Sequence, residues 1–248
     1  MKRLVVGVSG ASGAILGLKL ILAASKTSEI HAVVSSGAKE VLRLEYGIDF
    51  EKSRVEILGT NDARRDDFKS NSKAGESALN AKNLGDAAVR PFVKSDNVKD
   101  KAARYEIYKI LEEIFTSANV KFYSDTDLGA QISSGSFKTD AAIVAPCSIN
   151  TLAKIACGLS DTLITRAAAV ALKERRRLVL GVREMPFSTI SLRQMSELSA
   201  LGVTIAPPVI GHYAGSEAGQ INDFIIGKWL DAAGVENENF KRWRGSPA

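Results

Sequence analysis

Cysteine, histidine and aromatic residues are scarce in this chain: two Cys, two His and 6% aromatics in 248 residues. Cys147 and Cys157 are too few, in surroundings too apolar, for a disulfide framework or a zinc site, and they read as buried thiols. His31 falls in a strand pattern and His212 in a loop pattern, and neither is assigned a role. The few aromatics exclude a broad base-stacking platform. With 33 basic against 28 acidic residues the surface is mixed, so nucleic acid is not the expected partner. No apolar run approaches the length of a membrane span, and a cytoplasmic protein with no membrane partner is expected. Two further absences bear on ligands. The first glycine-rich loop lacks the GxGxxG spacing, and the second strand ends in Ser35-Ser36-Gly37 where a dinucleotide-binding unit would carry an Asp or Glu for the ribose. NAD is therefore disfavoured.

What is present alternates between short apolar runs and helical periods, at 45% apolar content. Leu4 to Val8 reads as a strand, Ser9-Gly10-Ala11-Ser12-Gly13 as a tight loop, and Ile15 to Ala24 as a helix. Small residues let backbone approach a ligand, and the loop aims N–H groups and a positive helix end at an anion. Ile30 to Val34 is the second strand, with Ala38 to Tyr46 a helix carrying Glu45 near its end, where a carboxylate opposes the helix dipole. From about 55 to 127 the composition shifts to Lys, Asp, Asn, Ser and Ala, as in an insertion. Within it, Ala103 to Phe115 has an amphipathic helical period, and Val120 to Tyr123 reads as a strand. Ala141 to Ala145 is another strand, followed by Pro146-Cys147-Ser148-Ile149-Asn150-Thr151 and a helix over Leu152 to Cys157. Ser148 and Thr151 then stand at a helix start. Three strand ends thus present small hydroxyl residues, which a parallel sheet would gather at one edge.

The densest stretch runs from Ser160 to Ser188. Asp161 is placed to cap a helix running through Lys173, on which Arg166 and Lys173, two turns apart, share a face suited to a phosphate. Leu178 to Val182 is an apolar strand buried on both sides that delivers Arg183 and Glu184 at its carboxyl end. A solvated basic helix before a core strand is the plainer reading of the same residues. Ile190 to Leu201 reads as a helix, Val203 to Ala206 as a last strand, and Ile221 to Ala232 as a helix bearing Lys228. Tyr213 lies in the loop between them. The expected fold is α/β: one domain over 1–248 with a Rossmann-like or flavodoxin-like doubly wound parallel sheet, helices on both faces and an insertion at about 55–127.

These segments resemble the UbiX-type flavin prenyltransferases. The likeness is carried by GVSGASGA, VSSGAKEVLRLE, SSGSF, APCSINTLAKIACG, LITRAAAVALKERRRLVLGVREMPFS and IAPPV, in that order on both flanks of the insertion. The resemblance implies FMN as cofactor and prenyl acceptor, and a homo-oligomer, commonly a dodecamer, with sites at subunit interfaces. It also implies a reaction: N5 of reduced FMN bonds the allyl carbon of dimethylallyl monophosphate, phosphate leaves, and a bond to C6 closes a fourth ring. The product serves UbiD-type decarboxylases. By the same likeness Gly10, Ala11, Ser12, Ser35, Ser148, Ile149, Asn150, Thr151 and Arg183 contact FMN, and Arg166, Lys173, Glu184, Tyr213 and Lys228 surround the prenyl phosphate. Glu45 takes proton-transfer work during ring closure, and Glu184 with Ser12 handles the leaving phosphate's proton.

No metal is expected, since fixed cations and hydroxyl donors stabilise a departing phosphate where water is excluded. The DDxxD carboxylates that hold Mg²⁺ in prenyl-diphosphate enzymes are lacking: Asp66-Asp67 is followed by Phe68 and Lys69, with Ser70 in the third place. The chain departs from the resembled pattern at Ala169, usually Asp, at Lys228, usually Arg, and after Tyr213, where AGS stands. Two other functions fit the same fold. One is an FMN-dependent decarboxylase of the cysteine type, from which this chain differs by PCSINT in place of PASANT; the other is a flavin-binding subunit without turnover.

Overall fold

The computed structural model describes residues 1–59, 101–243 and 245. Six strands form one parallel sheet: β1 (Lys2–Val8), β2 (Ser28–Val34), β3 (Val120–Tyr123), β4 (Ala141–Cys147), β5 (Arg177–Val182) and β6 (Thr204–Ile205). Their order is β3-β2-β1-β4-β5-β6, so the winding reverses between β1 and β4. At such a reversal the loops beyond the two strands diverge and leave a crevice at the carboxyl edge.

Seven labelled helices accompany the sheet: α1 (Ala14–Ser25), α2 (Ser36–Tyr46), α3 (Lys101–Thr116), α4 (Ile149–Ala156), α5 (Leu163–Lys173), α6 (Thr189–Ala200) and α7 (Ala218–Ala232). Residues 50–59 are also helical. Alternation along each strand sends successive side chains to opposite faces. Leu4, Val6 and Val8 of β1 join one apolar cluster with Leu18 and Ile21 of α1, Leu111 and Ile114 of α3, and Trp229 of α7. Val5 joins the other, with Ala142 and Val144 of β4, Leu163 and Ala167 of α5, and Leu198 of α6. Helices therefore cover both faces, as the continuous apolar strands require.

The expected insertion lies outside the described residues over 60–100. Its last part is built into the fold, with α3 in the core and β3 paired to β2 from Ile30↔Val120 to Val33↔Tyr123. Two expectations are corrected. Thr162, not Asp161, caps α5: its hydroxyl accepts Thr165 N–H at 3.4 Å and the Thr165 hydroxyl accepts Thr162 N–H at 3.1 Å. Asp161 instead pairs with Lys154 at 2.6 Å, the amine favouring the carboxylate and holding its pKa below the usual range. Cys157 is exposed; only Cys147 is a buried thiol, its pKa pushed up to about 12 by that burial.

Among the described residues no helix is long and apolar enough to cross a membrane.

Candidate functional site

Four neighbouring strand ends are tied into one edge by hydrogen bonds. Ser9, buried just past β1, donates both its N–H and its hydroxyl to Pro146 O at 3.1 Å, and its Oγ accepts Ser148 N–H at 2.8 Å. Ser35 N–H donates to Val8 O at 3.0 Å, and Arg183 N–H to Cys147 O at 3.0 Å. Gly10, Ala11, Ser12, Ser35, Ser148, Ile149, Asn150, Thr151 and Arg183 thus lie along a single rim spanning β2, β1, β4 and β5.

The hydroxyls on this rim also shape the helices behind it. Ser35 caps α2 by accepting Ala38 N–H at 3.1 Å, and Ser148 caps α4 by accepting Thr151 N–H at 3.3 Å. Both keep their O–H as donors; Ser148 Oγ lies 3.0 Å from Thr151 Oγ1. Helix α1 differs. Its cap is Gly13, left-handed at φ 82°, with no side-chain hydrogen bond to the first turn, where Leu16 N–H turns back to Gly13 O at 2.9 Å and the cap leaves Ala14 and Ile15 N–H as donors. Gly10 and Gly37 bring two loops together backbone to backbone: a Cβ on Gly10 would fall 2.9 Å from Gly37 C.

Glu45 closes the rim beside α1. It sits in the last turn of α2, exposed, and its Oε2 accepts Gly13 N–H at 3.2 Å. A carboxylate at the negative end of its own helix is disfavoured, but here it meets the positive end of the next. The same rim therefore presents an acid–base group, free amides, hydroxyls and the Arg183 cation.

The cations expected around a phosphate do not all share that rim. Helix α5 starts at the rim, where Leu163 and Ile164 N–H bond Asp125, and descends to the opposite edge of the sheet. Arg166, one turn in, spends Nε–H on Ser133 O at 2.9 Å and so anchors the serine loop 133–136. Lys173 stands at the far edge, exposed and 2.5 Å from Glu174 Oε1, close to the Arg176 that binds Gly135 O and Phe137 O. Within one chain Lys173 does not join the rim, although it shares a helix face with Arg166: the seven residues from Arg166 carry it about 10 Å further along the helix.

Glu184 follows Arg183 and its Oε1 accepts Met185 N–H at 3.1 Å. Tyr213 lies past β6, half exposed, edge-on to Phe224 at 5.3 Å and to Trp243 at 6.1 Å. Lys228 is exposed on α7, at the height where the Trp229 indole N–H bonds Ala206 O at 2.7 Å just beyond β6. Among the described residues no group of His, Cys, Asp and Glu has the geometry to hold a metal ion.

The Flavoprotein family model matches residues 1–230. The chain belongs to the Flavoprotein family, among its UbiX-type flavin prenyltransferases. Flavin prenyltransferase UbiX of Campylobacter jejuni subsp. jejuni is 34% identical over 243 residues, covering 98% of both chains. The crystal structure of AnUbiX (PadA1) in complex with FMN and dimethylallyl pyrophosphate is similar at TM-score 0.67 and 29% identity, covering 99% of both chains. A dodecameric FMN-dependent Ubix-like decarboxylase from Escherichia coli O157:H7 aligns at TM-score 0.66 and 32% identity, over 98% of this flavoprotein and 100% of that chain.

Sequence reasoning missed two rim residues of this flavoprotein. Ser9 was read only as part of a loop, yet its buried hydroxyl is what joins β1 to β4. Gly37 was read as part of a polar strand end, yet it is the partner against which Gly10 packs. The signal available for both was their small size at the ends of adjacent strands.

Proposed function

We propose that this flavoprotein transfers a dimethylallyl group from dimethylallyl monophosphate to reduced FMN. The observation that carries the reading is Glu45 held on the first amide of α1, at a rim otherwise lined by small residues, hydroxyls and Arg183. This donor set fits FMN: the uncapped first turn of α1 suits its phosphate, and Gly10, Ala11, Ser12, Ser35, Ser148, Ile149, Asn150 and Thr151 leave room for backbone to meet its ring and ribityl chain. Bound and reduced, FMN would supply the nucleophilic N5 and C6 positions.

The residues then divide the work. As the allylic C–O bond breaks, its electron pair leaves with phosphate, and cations fixed beforehand stabilise that charge. Arg166 and Lys228 are assigned this role, with Tyr213 as a hydroxyl donor and Arg183 toward the flavin. Glu45, with Oε2 on Gly13, uses Oε1 to move the proton of ring closure. Glu184 and Ser12 are assigned the proton of the departing phosphate. Lys173 can serve this chemistry only at the rim of another copy, which fits the expectation of a homo-oligomer with sites between subunits. The monophosphate is favoured over the diphosphate because the chain lacks the DDxxD carboxylates through which Mg²⁺ holds a diphosphate, and the product is expected to pass to a UbiD-type decarboxylase.

Mass spectrometry of the flavin released after anaerobic incubation with reduced FMN and dimethylallyl monophosphate, with the diphosphate in parallel, tests the reading. A gain of one prenyl unit is expected from the monophosphate. Unchanged FMN with both donors would overturn it in favour of a decarboxylase or a flavin-binding subunit.

A further inference from the structure

Helix α2 ends where Gly47 turns left-handed at φ 64°, its N–H donating to Arg43 O at 2.9 Å while Ile48 N–H reaches Leu42 O at 3.2 Å. That closure leaves the Tyr46 carbonyl, one peptide beyond Glu45, without a donor from its own helix. The donor comes from α3: Arg104 Nε–H bonds Tyr46 O at 3.0 Å. Its guanidinium occupies the space beside Gly47, where a Cβ would collide with Nη2. Arg104 is partly buried, and a cation at a helix C-terminus is favourably placed against the dipole.

The base of α3 is itself fixed. Lys19 of α1 pairs with Glu106 at 2.7 Å, and Ile107 and Leu111 share one apolar cluster with Leu42 and Ile48. Three helices thus meet around one turn: α1 offers Gly13 N–H, α2 offers the Glu45 carboxylate, and α3 clamps the carbonyl next to it. Among the described residues Nη2 of Arg104 is buried without a partner, and Nε carries the side chain's hydrogen bond.

We infer that Arg104 is a positioning residue for Glu45, fixing the last turn of α2 so that the carboxylate stays on the α1 amide. The inference rests on the proton role proposed for Glu45. It predicts that Arg104 acts only through that carboxylate. Arg104→Ala should lower prenyl-transfer kcat about 10- to 100-fold with little change in KM for dimethylallyl monophosphate, as expected for a misplaced catalytic group. In a Glu45→Gln background the same change should have no further effect, because the two residues belong to one unit.

The second readout does not need turnover. Deuterium uptake by peptides spanning 9–17 should rise in R104A and in E45A alike, since each frees the Gly13 amide. R104K, which keeps a charge at the helix end, replaces R104A in both measurements should the alanine variant not fold. Effects that multiply in the double variant, or uptake over 9–17 equal to wild type in R104A, would overturn the inference. Wild-type protein that makes no prenylated flavin would sink the functional reading instead, and the uptake measurement alone would then decide the role of Arg104.

Discussion

Oε2 of Glu45 lies 3.2 Å from the Gly13 backbone nitrogen, so a carboxylate from the last turn of one helix sits on the first amide of another. This hydrogen bond fixes the direction of the carboxylate where the loop after β1 meets α1. Glu45→Gln keeps the shape and an acceptor oxygen but cannot exchange the proton. It should bind FMN as wild type does while prenyl transfer falls by at least about 10²-fold, the usual contribution of a positioned acid–base group. Flavin retention on a desalting column and single-turnover absorbance separate the two effects; full turnover would remove Glu45 from the chemistry.

The distance between Lys173 and the rim makes a second prediction about assembly. Lys173→Ala and Glu45→Gln should each be inactive alone, because each disables every site in a uniform oligomer. Co-expressed, they should form mixed oligomers in which some sites draw a native Lys173 from one copy and a native Glu45 from another. Activity above the sum of the two parents is expected. If mixed oligomers stay inactive, Lys173 has no part in a neighbouring site.

Gly10 and Gly37 touch through backbone, so Gly10→Ala forces a methyl to within 2.9 Å of the Gly37 carbonyl carbon. Overpacking of this kind costs about 1–3 kcal/mol. The change should lower the melting temperature and weaken FMN binding together, since both loops belong to the rim. Calorimetry with and without FMN would read both, and an unaltered melting curve would mean that the loops part easily.

His31 gives a pH dependence of stability. It is buried in β2, with Nδ1 2.8 Å from Tyr123 Oη and Nε2 3.0 Å from Glu29 Oε1. Burial, the largest cause, lowers its pKa against the opposing pull of Glu29. The fold therefore favours the neutral ring: the stabilisation is full above the ordinary histidine pKa of about 6.5 and is lost as pH falls from there toward the depressed folded value. The unfolding free energy should drop between about pH 7 and pH 5 by at most about 1.4 kcal/mol per pH unit from this group, and the melting temperature with it. The drop should shrink in His31→Phe; an unchanged slope in that variant would place the titration elsewhere.

The sheet was legible in the sequence because its central strands carry apolar runs, and every one of the six was expected within a few residues. The rim was legible because small hydroxyl residues recur just after those runs. What one chain's local pattern does not contain is the neighbour across the sheet. Glu45 looks misplaced on its own helix, and only the approach of α1 supplies the amide that suits it. Asp161 and Thr162 are both good caps by composition; Thr165, three residues beyond Thr162, completes the reciprocal pair, while Lys154 draws Asp161 away. Lys173 joins the phosphate cations by helix face and by resemblance, and within one chain the length of α5 carries it to the other edge.

The sheet ends in β3, four residues long, on one side and β6, two residues long, on the other. Edges this short offer an incoming chain only a few open backbone groups, and Lys121 within β3 adds a charge that strand pairing would have to accommodate. An assembly of copies would therefore form through side chains rather than by extending a ladder. Partner choice is in that case a matter of surface composition, open to change by substitution on helices and loops while the strands stay as they are.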